Sequence, residues 1–199
     1  MPTGTPTTTP TKSQLFNSVV GVNSNNNIYY REGVSGSWAE MDGPDGGLIQ
    51  VSVSADGGMW GVDSTDKIYF RQGLSDTWNL MLGSLKWVSV SADGYHVWGV
   101  NSGDEIYYRA GISGEWANVG GSLIQVSVSG DGNHVWGVNS GDFIYYRAGY
   151  SGSWKLIDGA LTQVSVSNDG STVWGVNSAD NVYYRQGTGG SWELIAGAL

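Results

Sequence analysis

The sequence predicts an all-β fold, a β-propeller of five four-stranded antiparallel blades. Three observations predict it. A β-branched and aromatic motif, IYYR or a close variant, starts at Ile28, Ile68, Ile106, Ile144 and Val182. Its period is 38 residues in the last three intervals and 40 in the first. Each unit holds only short strand-like runs between Gly, Asp, Asn and Ser turns, with no window for a useful amphipathic helix. Self-similarity at such a period marks a repeat architecture.

One unit, read from Leu123, gives the elements in order. The run QVSVS alternates Val with Ser, the period-two pattern of a strand. GDGN follows as a turn. VWGVN and IYYR are rich in β-branched and aromatic residues, and SGD separates them. SWKLI closes the unit after a second Gly-containing turn. Four strands of about five residues and four tight turns account for the period. One such sheet alone leaves apolar faces wet. Radial stacking buries both faces and leaves only short edges. Five copies therefore predict five blades. A trefoil or a single-strand solenoid fits the count and the length less well.

Nine of the ten Trp fall at two positions of the repeat. One follows each motif start by ten residues, at Trp38, Trp78, Trp116, Trp154 and Trp192. The other precedes it by eight, in the WGV triplets of Trp60, Trp98, Trp136 and Trp174, and Val20 holds that place in copy one. The exception, Trp87, stands where other copies have Gln50, Gln125 and Gln163. The last run, Trp192–Leu199, is expected to supply the outer strand of a blade. Its partners come from either the N-terminal or the last copy, and the ring then locks through its ends. Gln14-Leu15 resembles the Gln-Val start of the later inner strands.

Composition bounds the function. The chain has 199 residues, nine Lys and Arg together and a net charge of −9. It lacks the basic footprint of a nucleic-acid or anionic-membrane binder. Cys is absent, which excludes disulfides, thiolate zinc sites and a Cys nucleophile. No stretch approaches the roughly 20 apolar residues of a membrane span, so no membrane insertion is expected. Residues 1–11 are rich in Thr and Pro and read as a flexible arm, leaving 12–199 as one domain. The N-terminus has no apolar signal core. The expectation is a cytoplasmic protein, or one released or displayed at the cell surface by a non-classical route.

The unit VSVSxDGxxVWGVNSxDxIYYRxGxSGxW resembles the tectonin repeat, over about residues 12–199. The resemblance implies a β-propeller lectin that binds glycans. Proteins of this type often carry six repeats, so six blades is the alternative it implies. It also implies a role in innate defence and, from some fungal members, O-methylated sugars. Methylated mannose or fucose on cell surfaces are then the candidate partners. A homo-oligomer is compatible with this reading.

Sugars are held by aromatic faces and by fixed polar groups. Trp78, Trp116, Trp154 and Trp192 fall on the expected outer strand, where they either meet a ligand or pack between blades. Gly99, Gly137 and Gly175 follow the WGV Trp. A strand Gly marks a close approach, by a ligand methyl group or by a Trp or Tyr of the next blade. Arg71, Arg109, Arg147 and Arg185 recur once per copy. Each either bridges to an Asp of the next copy or offers its fork to sugar oxygens. Asn101, Asn139 and Asn177, with Asp104, Asp142 and Asp180, form Asx-type turns that also present polar atoms to a ligand. These turns lack the dense oxygen loop of a calcium site, and no metal or cofactor is expected. Catalysis needs a singular constellation, whereas every candidate here repeats. The expectation is a multivalent binder rather than an enzyme, with a protein-interaction scaffold as the alternative.

Overall fold

The computed structural model describes residues 18–198; the expected arm at 1–11, Gln14-Leu15 and Leu199 lie outside them. The described chain is all strand and turn. Blade one comprises β1 (Ser18–Val22), β2 (Ile28–Glu32) and β3 (Ala39–Met41). Blade two comprises β4 (Gln50–Val53), β5 (Gly58–Val62), β6 (Ile68–Gln72) and β7 (Asn79–Met81). Blade three comprises β8 (Trp87–Val90), β9 (His96–Val100), β10 (Glu105–Ala110) and β11 (Ala117–Ser122). Blade four comprises β12 (Gln125–Val128), β13 (His134–Val138), β14 (Phe143–Ala148) and β15 (Lys155–Ala160). Blade five comprises β16 (Gln163–Val166), β17 (Thr172–Val176), β18 (Asn181–Gln186) and β19 (Glu193–Ala198). Each is an antiparallel meander in chain order, and blade one has three strands among the described residues. The five-bladed propeller expected from the repeat count is the architecture observed. No described helix is long and apolar enough to cross a membrane.

The first strands of neighbouring blades, β4, β8, β12 and β16, lie side by side on the inside. Side chains stitch them together. Gln125 Nε2 donates to the Val164 carbonyl at 2.8 Å while its Oε1 accepts from the Val164 N–H at 3.1 Å. Gln50 grips Val88 in the same way. Ser52, Ser89 and Ser127 each accept the N–H of a Val one blade on. Trp87, the odd Trp, keeps the rung by donating to the Val126 carbonyl at 2.9 Å.

The core consists of inter-blade layers rather than one central mass. Trp60, Val62, Ile68 and Phe70 of blade two pack on Leu85, Val88, Val90 and Val97. The next two steps repeat this with Trp98 and Trp136. Burial follows from the alternation: in HVWGV of β9, four of five residues are buried because both faces meet a neighbouring blade.

Of the two partners expected for the last run, the last copy is the one observed. β19 pairs with β18 of its own copy, in register Tyr184↔Glu193. The last run thus completes the last copy, and no described blade mixes strands from both ends. The 40-residue first interval is a longer connection, 43–48, partly offset by a β4–β5 hairpin one residue shorter than its equivalents.

Candidate functional site

Three equivalent pockets open where one blade's outer strand leads into the next blade. The first is lined by Gly83, Ser84, Leu85, Asn101, Tyr107 and Trp116, with a volume of about 210 Å³. The second holds Gly121, Ser122, Leu123, Asn139, Tyr145 and Trp154 in about 180 Å³. The third holds Gly159, Ala160, Leu161, Asn177, Tyr183 and Trp192 in about 270 Å³. Each takes a Gly-x-Leu connection from one side and a Trp, a Tyr and an Asn from the following copy.

The Trp sits just ahead of its outer strand, half-buried. Its indole N–H donates to a carbonyl of the preceding blade: Trp78 to Asp42, Trp116 to Leu82, Trp154 to Gly120 and Trp192 to Asp158, at 2.8–3.1 Å. Its ring also packs edge-on against the buried WGV Trp, as Trp116 does on Trp60 at 6.1 Å. The two alternatives for this Trp are therefore compatible. One part of the indole packs and another lines the pocket. The connection's Gly makes room: a Cβ on Gly159 would come within 2.8 Å of the Trp192 indole nitrogen.

The Asn forms the expected Asx turn. Asn139 Oδ1 accepts the N–H groups of Gly141 and Phe143, both at 3.0 Å. Asn101 and Asn177 repeat this. The turn points the amide NH₂ outward. In Asn101 it is taken by Glu105 at 2.7 Å, whereas Asn139 and Asn177 keep theirs uncommitted among the described residues. Asp104, Asp142 and Asp180 occupy the left-handed position of the turn, at φ of 61–63°. They shape the backbone and do not line the three pockets; Asp104 pairs with Lys86.

For two further sets of candidates the structure shows which neighbours they meet. Gly99, Gly137 and Gly175 do face a close neighbour, and among the described residues it is an aliphatic side chain rather than a Trp or Tyr. The Leu of the connection fills each gap: Leu85 at Gly99, Leu123 at Gly137 and Leu161 at Gly175. Sequence reasoning missed these leucines, which also line the pockets, although Gly-x-Leu recurs with the period. Among the described residues no Arg forms the expected bridge to an Asp; the ion pair present is Lys86 with Asp104. Arg71, Arg109, Arg147 and Arg185 are buried and donate to carbonyls of their own following turn, as Arg147 does to Gly149 and Tyr150. Arg71 and Arg147 also reach back to Asp42 and Val119. The guanidinium of Arg109 stands 5.4 Å from the Trp60 ring and 5.7 Å from Trp116, and Arg147 repeats this with Trp98 and Trp154. A buried cation between two indole faces holds adjacent blades together. In Arg109, Nε and Nη2 donate to the Gly111 and Ile112 carbonyls, and the residue also lines a cavity of about 600 Å³ with Leu82, Gly83, Glu115 and Trp116. Burial lowers the pKa of each of these arginines.

The step from blade one to blade two departs from the pattern. Asp63 replaces the Asn and receives the Tyr69 hydroxyl at 3.2 Å. His96 and His134 are structural, each with Nδ1 3.1–3.2 Å from a Tyr hydroxyl. No group of three potential metal-ligating His, Cys, Asp or Glu side chains occurs among the described residues.

A family model described as Tectonin domain matches residues 12–199. The search of curated proteins returned no match.

Proposed function

From the premise that this chain belongs to the tectonin-domain family, we propose that it is a multivalent carbohydrate-binding protein with glycan sites between its blades. The observation that carries this reading is the threefold recurrence of one pocket: Trp116, Tyr107 and Asn101; Trp154, Tyr145 and Asn139; Trp192, Tyr183 and Asn177. Each offers an aromatic wall for sugar C–H groups and an apolar floor of Leu85, Leu123 or Leu161. The Asn amide and the Tyr hydroxyl sit at the rim. This mixture, mostly apolar with few fixed polar groups, suits a small amphipathic ligand.

The volume suits the edge of one pyranose rather than an oligosaccharide. The Leu floor favours a substituent without hydrogen-bonding needs, and an O-methyl group meets that requirement. O-methylated mannose or fucose is thus the preferred ligand class. Individual sites of this size bind weakly. Several on one rigid ring gain avidity on a surface that repeats the sugar. Repeated sites also suit binding better than catalysis, which needs one singular arrangement.

The test is a broad glycan array that includes methylated sugars. Retention of a methylated glycan, reduced in Trp154→Ala and Trp192→Ala variants that still fold, supports the reading. Absence of binding to every glycan favours a protein-interaction scaffold. The exposed Leu80, Leu156 and Leu194 on the outer strands suit that alternative.

A further inference from the structure

Strand β9 runs from the hairpin at Ser91–Tyr95 to the Asx turn at Asn101. The three Trp, Tyr and Asn pockets lie at the Asx-turn end. At the hairpin end, the steps between blades are filled differently. His96 opens β9 with its Nδ1 3.2 Å from the Tyr108 hydroxyl. Its ring lies against Gly132 of blade four, where a Cβ would run into it. His134 repeats this with Tyr146 and Gly170.

Blade two lacks that imidazole. Gly58 pairs with Gln72 and Trp60 with Phe70, as His96 pairs with Ala110 and Trp98 with Tyr108. Gly58 thus holds the His position and Phe70 the Tyr position. Tyr150 stacks on Tyr108 at 4.3 Å, and its counterpart one copy earlier is Ile112, which has no ring. A cavity of about 150 Å³ occupies the step between blades two and three. Trp60 and Phe70, both buried with ring centroids 5.1 Å apart, give it an aromatic wall. Tyr95 and Ile112 are half-exposed and line it as well.

Its charge is one-sided. Asp56 of blade two and Asp93 of blade three both line it, and the described lining residues include no Lys, Arg or His. Asp56 Oδ1 accepts the Ser54 hydroxyl at 2.6 Å and the Gly58 N–H at 3.1 Å. Asp93 Oδ1 accepts from Ser91 and from the Tyr95 N–H. The second oxygen of each carboxylate has no hydrogen-bond partner among the described residues. Burial raises the pKa of Asp93, but hydrogen bonds from Ser91 and the Tyr95 N–H outweigh it and keep the group ionised. Nearby cations have other partners: Arg109 donates to the Gly111 and Ile112 carbonyls, and His96 meets Tyr108. Carboxylates beside aromatic rings suit a flat cation.

We propose that this cavity binds a small flat organic cation of the imidazolium type, held by Asp56 and Asp93 against the Phe70 and Tyr95 rings. The ligand takes the place that His96 and His134 fill in the next two steps. The repeat supplies a space shaped for such a ring, and the two carboxylates supply its counter-charge. The site lies at the other end of the strands from the sugar pockets and does not rest on the carbohydrate reading.

The test is an NMR titration of the full chain with 4-methylimidazole at about pH 6, where that ring is mostly cationic. Saturable shifts of the Ile112 methyl and of the Phe70 and Tyr95 ring signals are expected, with Tyr146, whose step His134 fills, unmoved. Thiazole, a flat ring of similar size without the charge, should bind at least about tenfold more weakly. Asp56→Asn and Asp93→Asn keep the Oδ1 acceptor and remove the charge, and each should weaken 4-methylimidazole binding about tenfold. Absence of saturable shifts at these residues, equal shifts at Tyr146, or undiminished affinity in both folded variants overturns the site. Equal affinity for thiazole does so too, and that comparison uses the wild-type chain, so it decides the charge requirement even where a variant fails to fold.

Discussion

The indole N–H of Trp116 donates to the Leu82 carbonyl at 3.0 Å, tying the outer strand of one blade to the turn of the next. The same bond, between residues 34 apart in each case, recurs in Trp154 and Trp192. It fixes the ring that walls each pocket. Trp116→Phe keeps most of the packing and loses the bond, so a fall in stability of about 0.5–1.5 kcal/mol is expected. Trp116→Ala also removes the contact with Trp60 and should cost more, about 2–3 kcal/mol. Chemical denaturation of the two variants checks the order.

The arginines stand between indoles of adjacent blades, as Arg109 does between Trp60 and Trp116. Arg109→Ala removes a buried cation between Trp60 and Trp116 and leaves the Gly111 and Ile112 carbonyls without their donor. A loss of about 1–3 kcal/mol is expected, with per-site sugar affinity nearly unchanged. A large fall in affinity at full stability would assign the guanidinium to the ligand instead.

Gly137 and Leu123 form a fitted pair. A Cβ on Gly137 would stand 2.6 Å from Leu123 Cδ1 and 2.7 Å from the Gln125 carbonyl. Gly137→Ala should therefore destabilise by about 1–3 kcal/mol through overpacking. Leu123→Ala in the same chain relieves only the side-chain part of the clash. A double-mutant cycle should return a favourable coupling between the two changes, and strict additivity would contradict the pairing.

The hairpin carboxylates set the acid limb of stability. Burial raises the pKa of Asp93 and Asp131, but hydrogen bonds from Ser91 and Ser129 and from backbone N–H groups outweigh it and hold both below the ordinary 3.8. Hydrogen bonds from Ser167 and Ser171 hold Asp169 down to about 2. Folded values lie below unfolded ones, so this stabilisation is fully present above about pH 4 and is lost as pH falls toward 2. Thermal unfolding followed from pH 5 to pH 2 should fall mainly below pH 4. Asp131→Asn should flatten that fall.

Much of the blade was legible in the sequence. QVSVS, VWGVN and IYYR became three successive strands because alternation and β-branching act within a copy. The pairing between copies was harder to read. Gln125 reaches the backbone of Val164, 39 residues away, and Ser127 reaches that of Val166. These contacts depend on how blades stack, which no run within one copy encodes. Arg147 shows the same limit. Its need for a partner was evident, but the choice of two Trp faces and turn carbonyls over an Asp follows from the blade-to-blade geometry. The pocket Trp and Asn were identified from spacing, whereas Tyr107 and the Leu85 floor acquired their place only once adjacent blades were set side by side.

The central claim is that the Trp, Tyr and Asn pockets hold sugar. Isothermal titration of the wild-type chain and a folded Trp116→Ala, Trp154→Ala, Trp192→Ala variant with an O-methylated mannoside tests it most directly. The account predicts saturable binding at several equivalents per wild-type chain, with at least three lost in the variant. Absence of saturable binding to the wild-type chain, or undiminished binding to the folded variant, would contradict it.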